Sequence, residues 1–127
     1  MELLIVLFIV HWLFDYVFQT REIANSKWTD INKLFQHTVL YSLGPAFFTL
    51  GIVIFAGYHA KPGMITMFVF MNLVFHFLTD FFTSKATHML WEQKKEHAFF
   101  VVLGLDQLLH ITALLSTAQW YLGITIQ

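Results

Sequence analysis

Three carboxylates and four histidines of this chain lie inside otherwise apolar stretches, and their spacing is regular. His11 precedes Asp15 by four residues, His76 precedes Asp80 by four, and Asp106 precedes His110 by four. On a helix that offset puts both side chains on one face, one turn apart. The fourth histidine, His37, has Tyr41 at the same offset. An isolated charge in hydrocarbon costs several kcal/mol, so such groups need a device that keeps them there. They can be protonated, pair with a protonated imidazole, or share a metal ion. Zinc accepts imidazole nitrogen and carboxylate oxygen together. The expected metal layer is therefore His11, Asp15, His37, His76, Asp80, Asp106 and His110, with donors for one or two divalent ions, zinc foremost. Asp15, Asp80 and Asp106 are the candidate catalytic carboxylates, and any of them not on a metal would orient the histidines. A dinuclear version would suit phosphoryl or acyl hydrolysis. Taken singly, each pair reads as an interhelical hydrogen bond, and a metal-free proton relay is the alternative for the set. Three pairs with one spacing at matched depth favour a common site.

The elements that carry these residues follow from composition. Of 127 residues, 57% are hydrophobic and 12% charged, against about 25% charged in an average soluble domain. A chain this small has too much surface to hide so much apolar matter from water. A soluble monomer is excluded on that ground, and an aromatic content of 18% excludes a disordered chain. No cysteine is present, so disulfides and thiolate metal sites are excluded, and a net charge of −1 gives no case for nucleic acid. The expectation is an all-α integral membrane four-helix bundle, a single domain over 1–127, with spans at about 3–18, 34–57, 64–82 and 98–122. Their lengths suit helices rather than barrel strands. The first span lacks a basic leader and a small-residue cleavage site, and reads as retained.

Six of the seven basic residues fall in two connections: Arg21, Lys27 and Lys33 in Gln19–Lys33, and Lys85, Lys94 and Lys95 in Phe82–His97. The middle connection, Tyr58–Gly63, holds Lys61. The positive-inside rule makes the two basic connections cytoplasmic and both termini external. All the in-span histidines and carboxylates then share one layer in the cytoplasmic half. The recurrence of His-x-x-x-Asp before a basic connection suggests two parallel helical hairpins. Trp28, Trp91 and Trp120 suit the headgroup belt, Thr87–His97 reads as a short interfacial helix, and Pro45 beside Gly44 is expected to kink the second span.

Around the layer, Gln19 lies one turn beyond Asp15, Gln107 adjoins Asp106, and Lys85 follows Asp80 by five. With Lys27 and Tyr41 these are the candidate substrate-binding residues: the lysines for an anionic headgroup, the glutamines for water or substrate. Lys33 and Lys94–Lys95 read as topology signals alone. His59, His88 and His97 read as solvated loop residues. Asn72 reads as a packing hydrogen bond or an outer partner of His76.

The set His11-x-x-x-Asp15-Tyr16-x-x-Gln19, Lys27, His37-x-x-x-Tyr41, His76-x-x-x-Asp80 with Lys85, and Asp106-Gln107-x-x-His110 resembles the family of small bacterial and phage membrane proteins termed domain of unknown function 3307. The resemblance covers nearly the whole chain. It departs at Tyr16, where the family pattern has Phe, and in a compact connection before the fourth span. It implies a four-helix membrane protein, often phage-encoded, and supplies no activity. The His/Asp pattern is also loosely similar to small bacterial membrane proteins described as metal-dependent hydrolases.

The expected function is a multi-pass protein of a bacterial inner membrane acting as a metal-dependent hydrolase on a lipid-linked or interfacial anionic ester. The alternatives are translocation of protons or a divalent cation, and a phage interaction factor with a purely structural polar core. Its partners would be the lipid bilayer and, since four short helices offer little internal core, a second copy of itself.

Overall fold

A computed structural model describes residues 2–55, 57, 59 and 61–124, and those residues are all α. Helix α1 covers Glu2–Trp12 and runs on as a π-helical turn, Leu13–Val17. A short α2, Arg21–Ser26, begins at Thr20, whose hydroxyl accepts from the Ile23 amide and so satisfies one of the free donors of the first turn. The long helices are α3, Ile31–Phe55, α4, Pro62–Glu92, and α5, Glu96–Thr117, which ends in a second π turn, Ala118–Leu122. Three helices, Ile31–Phe55, Pro62–Glu92 and Glu96–Leu122, are long and apolar enough to cross a bilayer, and Leu3–Val17 is a shorter apolar helix.

Antiparallel neighbours pack in chain order, α1 on α3, α3 on α4 and α4 on α5, with α2 against α3. Gln107 of α5 accepts from His11 Nε2 and donates to Asp15, which ties the first helix to the last. Gly44 lets α1 approach α3, since a Cβ there would meet the Phe14 ring at 3.1 Å. Pro45 sits inside α3 without interrupting it.

Two expected boundaries move. The third span does not stop at Phe82: α4 continues ten residues further, to Glu92, and no separate interfacial helix occupies Thr87–His97. The charges after Phe82 suggested an end, but charge does not break a helix, and no Gly or Pro lies between Phe82 and Glu92. The hydroxyls of Thr83, Ser84 and Thr87 instead donate to carbonyls one turn back. At about 1.5 Å per residue, α4 exceeds the ~30 Å of a hydrocarbon core. It ends where Lys94 takes a left-handed φ of 56°. The first basic connection is also more ordered than a loop, since it contains α2. Of the middle connection, Tyr58 and Ala60 lie outside the described residues, as do the last three residues of the chain.

The interior is divided by level. At the end near the middle connection a small apolar core gathers Leu7, Phe48, Ile52, Phe68, Leu114, Ala118 and Leu122. At the other end the buried residues are polar apart from Leu34 and the ring of Tyr41. Among the described residues twelve polar or charged ones are buried against ten hydrophobic ones, while residues such as Phe47, Ile54, Phe82, Phe100 and Leu108 are more than half exposed. That is the reverse of a soluble fold.

Candidate metal centre

Each long helix delivers its polar pair to the same level. The π turn of α1 holds Asp15, α3 brings His37 and Tyr41, α4 brings His76 and Asp80, and α5 brings Asp106 and His110, and all of them are buried. Single π turns recur at functional sites, where they re-aim one side chain.

Two triads share His76. In the first, His37 Nε2 lies 3.2 Å from Asp15 Oδ1, His76 Nε2 lies 3.5 Å from the same oxygen, and the two Nε2 atoms are 3.0 Å apart. Ligands at about 2.0–2.1 Å around a tetrahedral ion stand about 3.3 Å from each other, so these edges match the size of a cation site. The second triad is His76, Asp80 and His110. Here His76 Nε2 lies 3.6 Å from Asp80 Oδ2, and His110 Nε2 lies 3.7 Å from Asp80 Oδ1. Asp80 Oδ2 also stands 3.1 Å from His37 Nε2. Among the described residues, His76 Nδ1 and both ring nitrogens of His110 are buried without a hydrogen-bond partner. Buried polar atoms are rarely left so, and a donor set with spare nitrogen lone pairs is what a cation would use.

The surroundings orient the rings. Tyr41 stacks on His76 with centroids 3.8 Å apart and an interplanar angle of 11°. Its hydroxyl faces His11 Nδ1 at 3.2 Å. Gln19 reaches His37 Nδ1 at 3.1 Å. With the amide nitrogen there, Nδ1 accepts and the proton sits on Nε2; with the amide turned, Nδ1 donates to Oε1 and Nε2 is free to ligate. That choice of tautomer is the usual role of the second partner of a metal-binding histidine. Gln107 donates to Asp106 at 2.9 Å and to Asp15 at 3.3 Å.

Of the seven expected ligands, the structure brings Asp15, His37, His76, Asp80 and His110 together. His11 stays 3.9 Å from Asp15 and bonds instead to Tyr41 and to Gln107 Oε1. Asp106 is held by the Thr83 hydroxyl and Gln107, with His110 Nδ1 3.5 Å away. Among the lysines, Lys27 Nζ sits on Asp80 Oδ2 at 2.8 Å. Lys85 does not join the cluster: its ammonium lies over the Phe81 ring, 3.6 Å from the centroid. Five residues along a helix is about 140° round from Asp80, onto the outer face. Lys33 pairs with Glu22. Asn72 donates to Thr117 and to the Phe68 carbonyl, so it is a packing hydrogen bond and not a partner of His76.

An open cavity of about 580 Å³ leads to this layer from the end of the two basic connections. Asp15, Asp80 and Asp106 line it with Gln19, Lys27 and Gln107, and the histidines lie behind them. Its further wall is built by the part of α4 beyond Phe82: Thr83, Ser84, Thr87 and Trp91. Their offsets from Asp80 (three, four, seven and eleven) are helical, and that was the available signal. His88 is likewise not a loop residue, for it stacks on Trp28 with centroids 3.5 Å apart.

A family model described as "Protein of unknown function (DUF3307)" matches residues 3–127. The chain belongs to that family. No curated protein and no solved structure matches it. In this DUF3307 chain the polar anchors on which the resemblance rests are, with the exception of Lys85, the residues that line the cavity or the layer behind it.

Proposed function

We propose that this protein is a membrane-inserted, metal-dependent hydrolase acting on an ester at the cytoplasmic face of a bacterial inner membrane. The observation that carries the reading is the pair of buried His/Asp triads at the floor of an open cavity. A divalent cation, zinc by donor type, would be held by Asp15, His37 and His76, with Asp80 beside them. Counted as ionised groups, Asp15, Asp80 and Asp106 against Lys27 leave two negative charges, which one such ion balances. An excess charge in so buried a layer would be costly. When bound, such an ion would supply Lewis acidity toward an ester oxygen and toward water near neutral pH.

The chain's own residues supply the rest. A carboxylate of the floor accepts the proton of the attacking water. The water oxygen bonds to the ester centre, and the alcohol oxygen leaves and takes up a proton. Lys27 offers a cation to an anionic headgroup, and Gln19 and Gln107 fix ring and carboxylate orientation. Exposed apolar flanks and the positive-inside rule support insertion with both termini external. The mouth would then open at the inner leaflet. The test is a metal inventory of detergent-purified protein. About one equivalent of transition metal, lost in His76→Ala, is expected. Less than a tenth of an equivalent across several expression conditions would sink the reading.

A further inference from the structure

We infer that this layer recruits a second divalent cation together with a phosphoryl group, so that the substrate class is a phosphate ester and not a carboxylic ester. The inference rests on the metal reading above and goes beyond it. Its first ground is the Asp80 carboxylate, whose two oxygens face two different histidines: Oδ2 stands 3.1 Å from His37 Nε2, and Oδ1 stands 3.7 Å from His110 Nε2. Lys27 Nζ also stands 2.8 Å from Oδ2; with that ammonium turned to an incoming anion, a carboxylate so placed would bridge two cation positions, and two-metal sites for phosphoryl chemistry hold their ions about 3.5–4 Å apart. Its second ground is His110. The ring is 2% exposed, and among the described residues neither nitrogen has a hydrogen-bond partner, with Asp106 Oδ2 3.5 Å from Nδ1. One ion in the Asp15–His37–His76 triad leaves those nitrogens unsatisfied, and an ion between Asp80 and His110 satisfies one.

Charge then names the ligand. With one divalent ion the floor is neutral. A second adds two positive charges to a buried layer, which is unfavourable unless an anion of equal charge arrives with it. A phosphate monoester dianion has that charge; a carboxylic ester has none and a carboxylate product has one. The cavity offers space beside Asp80, with Lys27 on its wall. Binding of the second ion and of the phosphoryl group must therefore be mutually reinforcing, each tightening the other by the same factor.

The experiment is equilibrium dialysis of the full chain in detergent against micromolar Zn²⁺, with nothing added, with inorganic phosphate, with acetate, or with phosphatidic acid in the micelle. One tight equivalent is expected alone and in acetate. A second is expected, tightened tenfold or more, with inorganic phosphate or with phosphatidic acid. Which of the two acts separates a free phosphate from a lipid headgroup as the source. His110→Ala should keep the first ion and lose the phosphate-linked second. A wild-type protein that stays at one equivalent in every arm, or takes a second without regard to phosphate, overturns this inference and leaves the metal reading standing. Absence of even the first ion overturns both. The wild-type titration decides the matter even where the variant fails to fold.

Discussion

The two ends of the bundle use the same four helices for opposite purposes. Toward the middle connection, Leu7, Phe48, Phe68 and Leu114 fill the interior with apolar groups. One or two turns along the same helices stand His11, Tyr41, His76 and His110, and the interior becomes a network of imidazoles and carboxylates. The apolar end makes contacts that need no defined partner, so it supplies packing. The polar end is a set of groups that are tolerable only with defined partners, so it supplies specificity. The join is the Asn72–Thr117 hydrogen bond, where an α4 amide one turn from His76 meets an α5 hydroxyl that sits between Leu114 and Ala118 of the apolar core. The apolar end also closes the bundle beyond the cavity, which fits a site entered from one side better than a path through the chain.

If the division is real, substitutions at the two ends should separate stability from metal binding. Phe68 is fully buried, and Phe68→Ala should cost about 3 kcal/mol or more from the cavity it leaves. Thermal unfolding in detergent should show that loss, with the metal content of the folded fraction unchanged. A fall in metal stoichiometry there would mean the two ends act as one unit. Asp80→Asn should work the other way. It removes the charge shared by Lys27, His37 and His110, and should weaken Zn²⁺ binding a hundredfold or more, read by competition with a chelator. Retained affinity would place the ion elsewhere.

Gln19→Leu tests the orienting role more finely. It strips His37 Nδ1 of its partner and should lower metal affinity about 10–100-fold. The same variant should leave the unfolding midpoint in detergent nearly unchanged, and a metal affinity equal to the wild type's would reduce Gln19 to a wall residue. The smallest effect should lie at the join. Thr117→Val removes the acceptor of Asn72 and should cost about 0.6 kcal/mol, the average for such bonds between membrane helices, with metal content untouched.

Much of this was legible along the chain, because burial of a charge in an apolar run is a local fact. Every residue of the two triads lies in such a run at helical spacing, and the level they share follows from counting residues from the basic connections. Lys27 and Lys85 show where that reading stops. Lys85 is the nearer to Asp80 in sequence, but the helical repeat carries it to the outer face, while Lys27, fifty-three residues away, arrives through the turn after α2. The extension of α4 was misread for a different reason: charged residues mark where a helix leaves hydrocarbon, not where it ends.

The sequence by itself determined that imidazoles and carboxylates would be buried, that they would come in same-face pairs, and that they would gather at one level, since each of these depends only on composition and on the 3.6-residue turn. Only the tertiary structure decided which atom faces which. It turned His11 toward Tyr41 and Gln107, gave His76 to both triads, set the two oxygens of Asp80 against different histidines, and left the His110 nitrogens without a hydrogen bond among the described residues. Those choices depend on how helices rotate and press against one another, and that is fixed by packing among distant residues rather than by the spacing within any one of them.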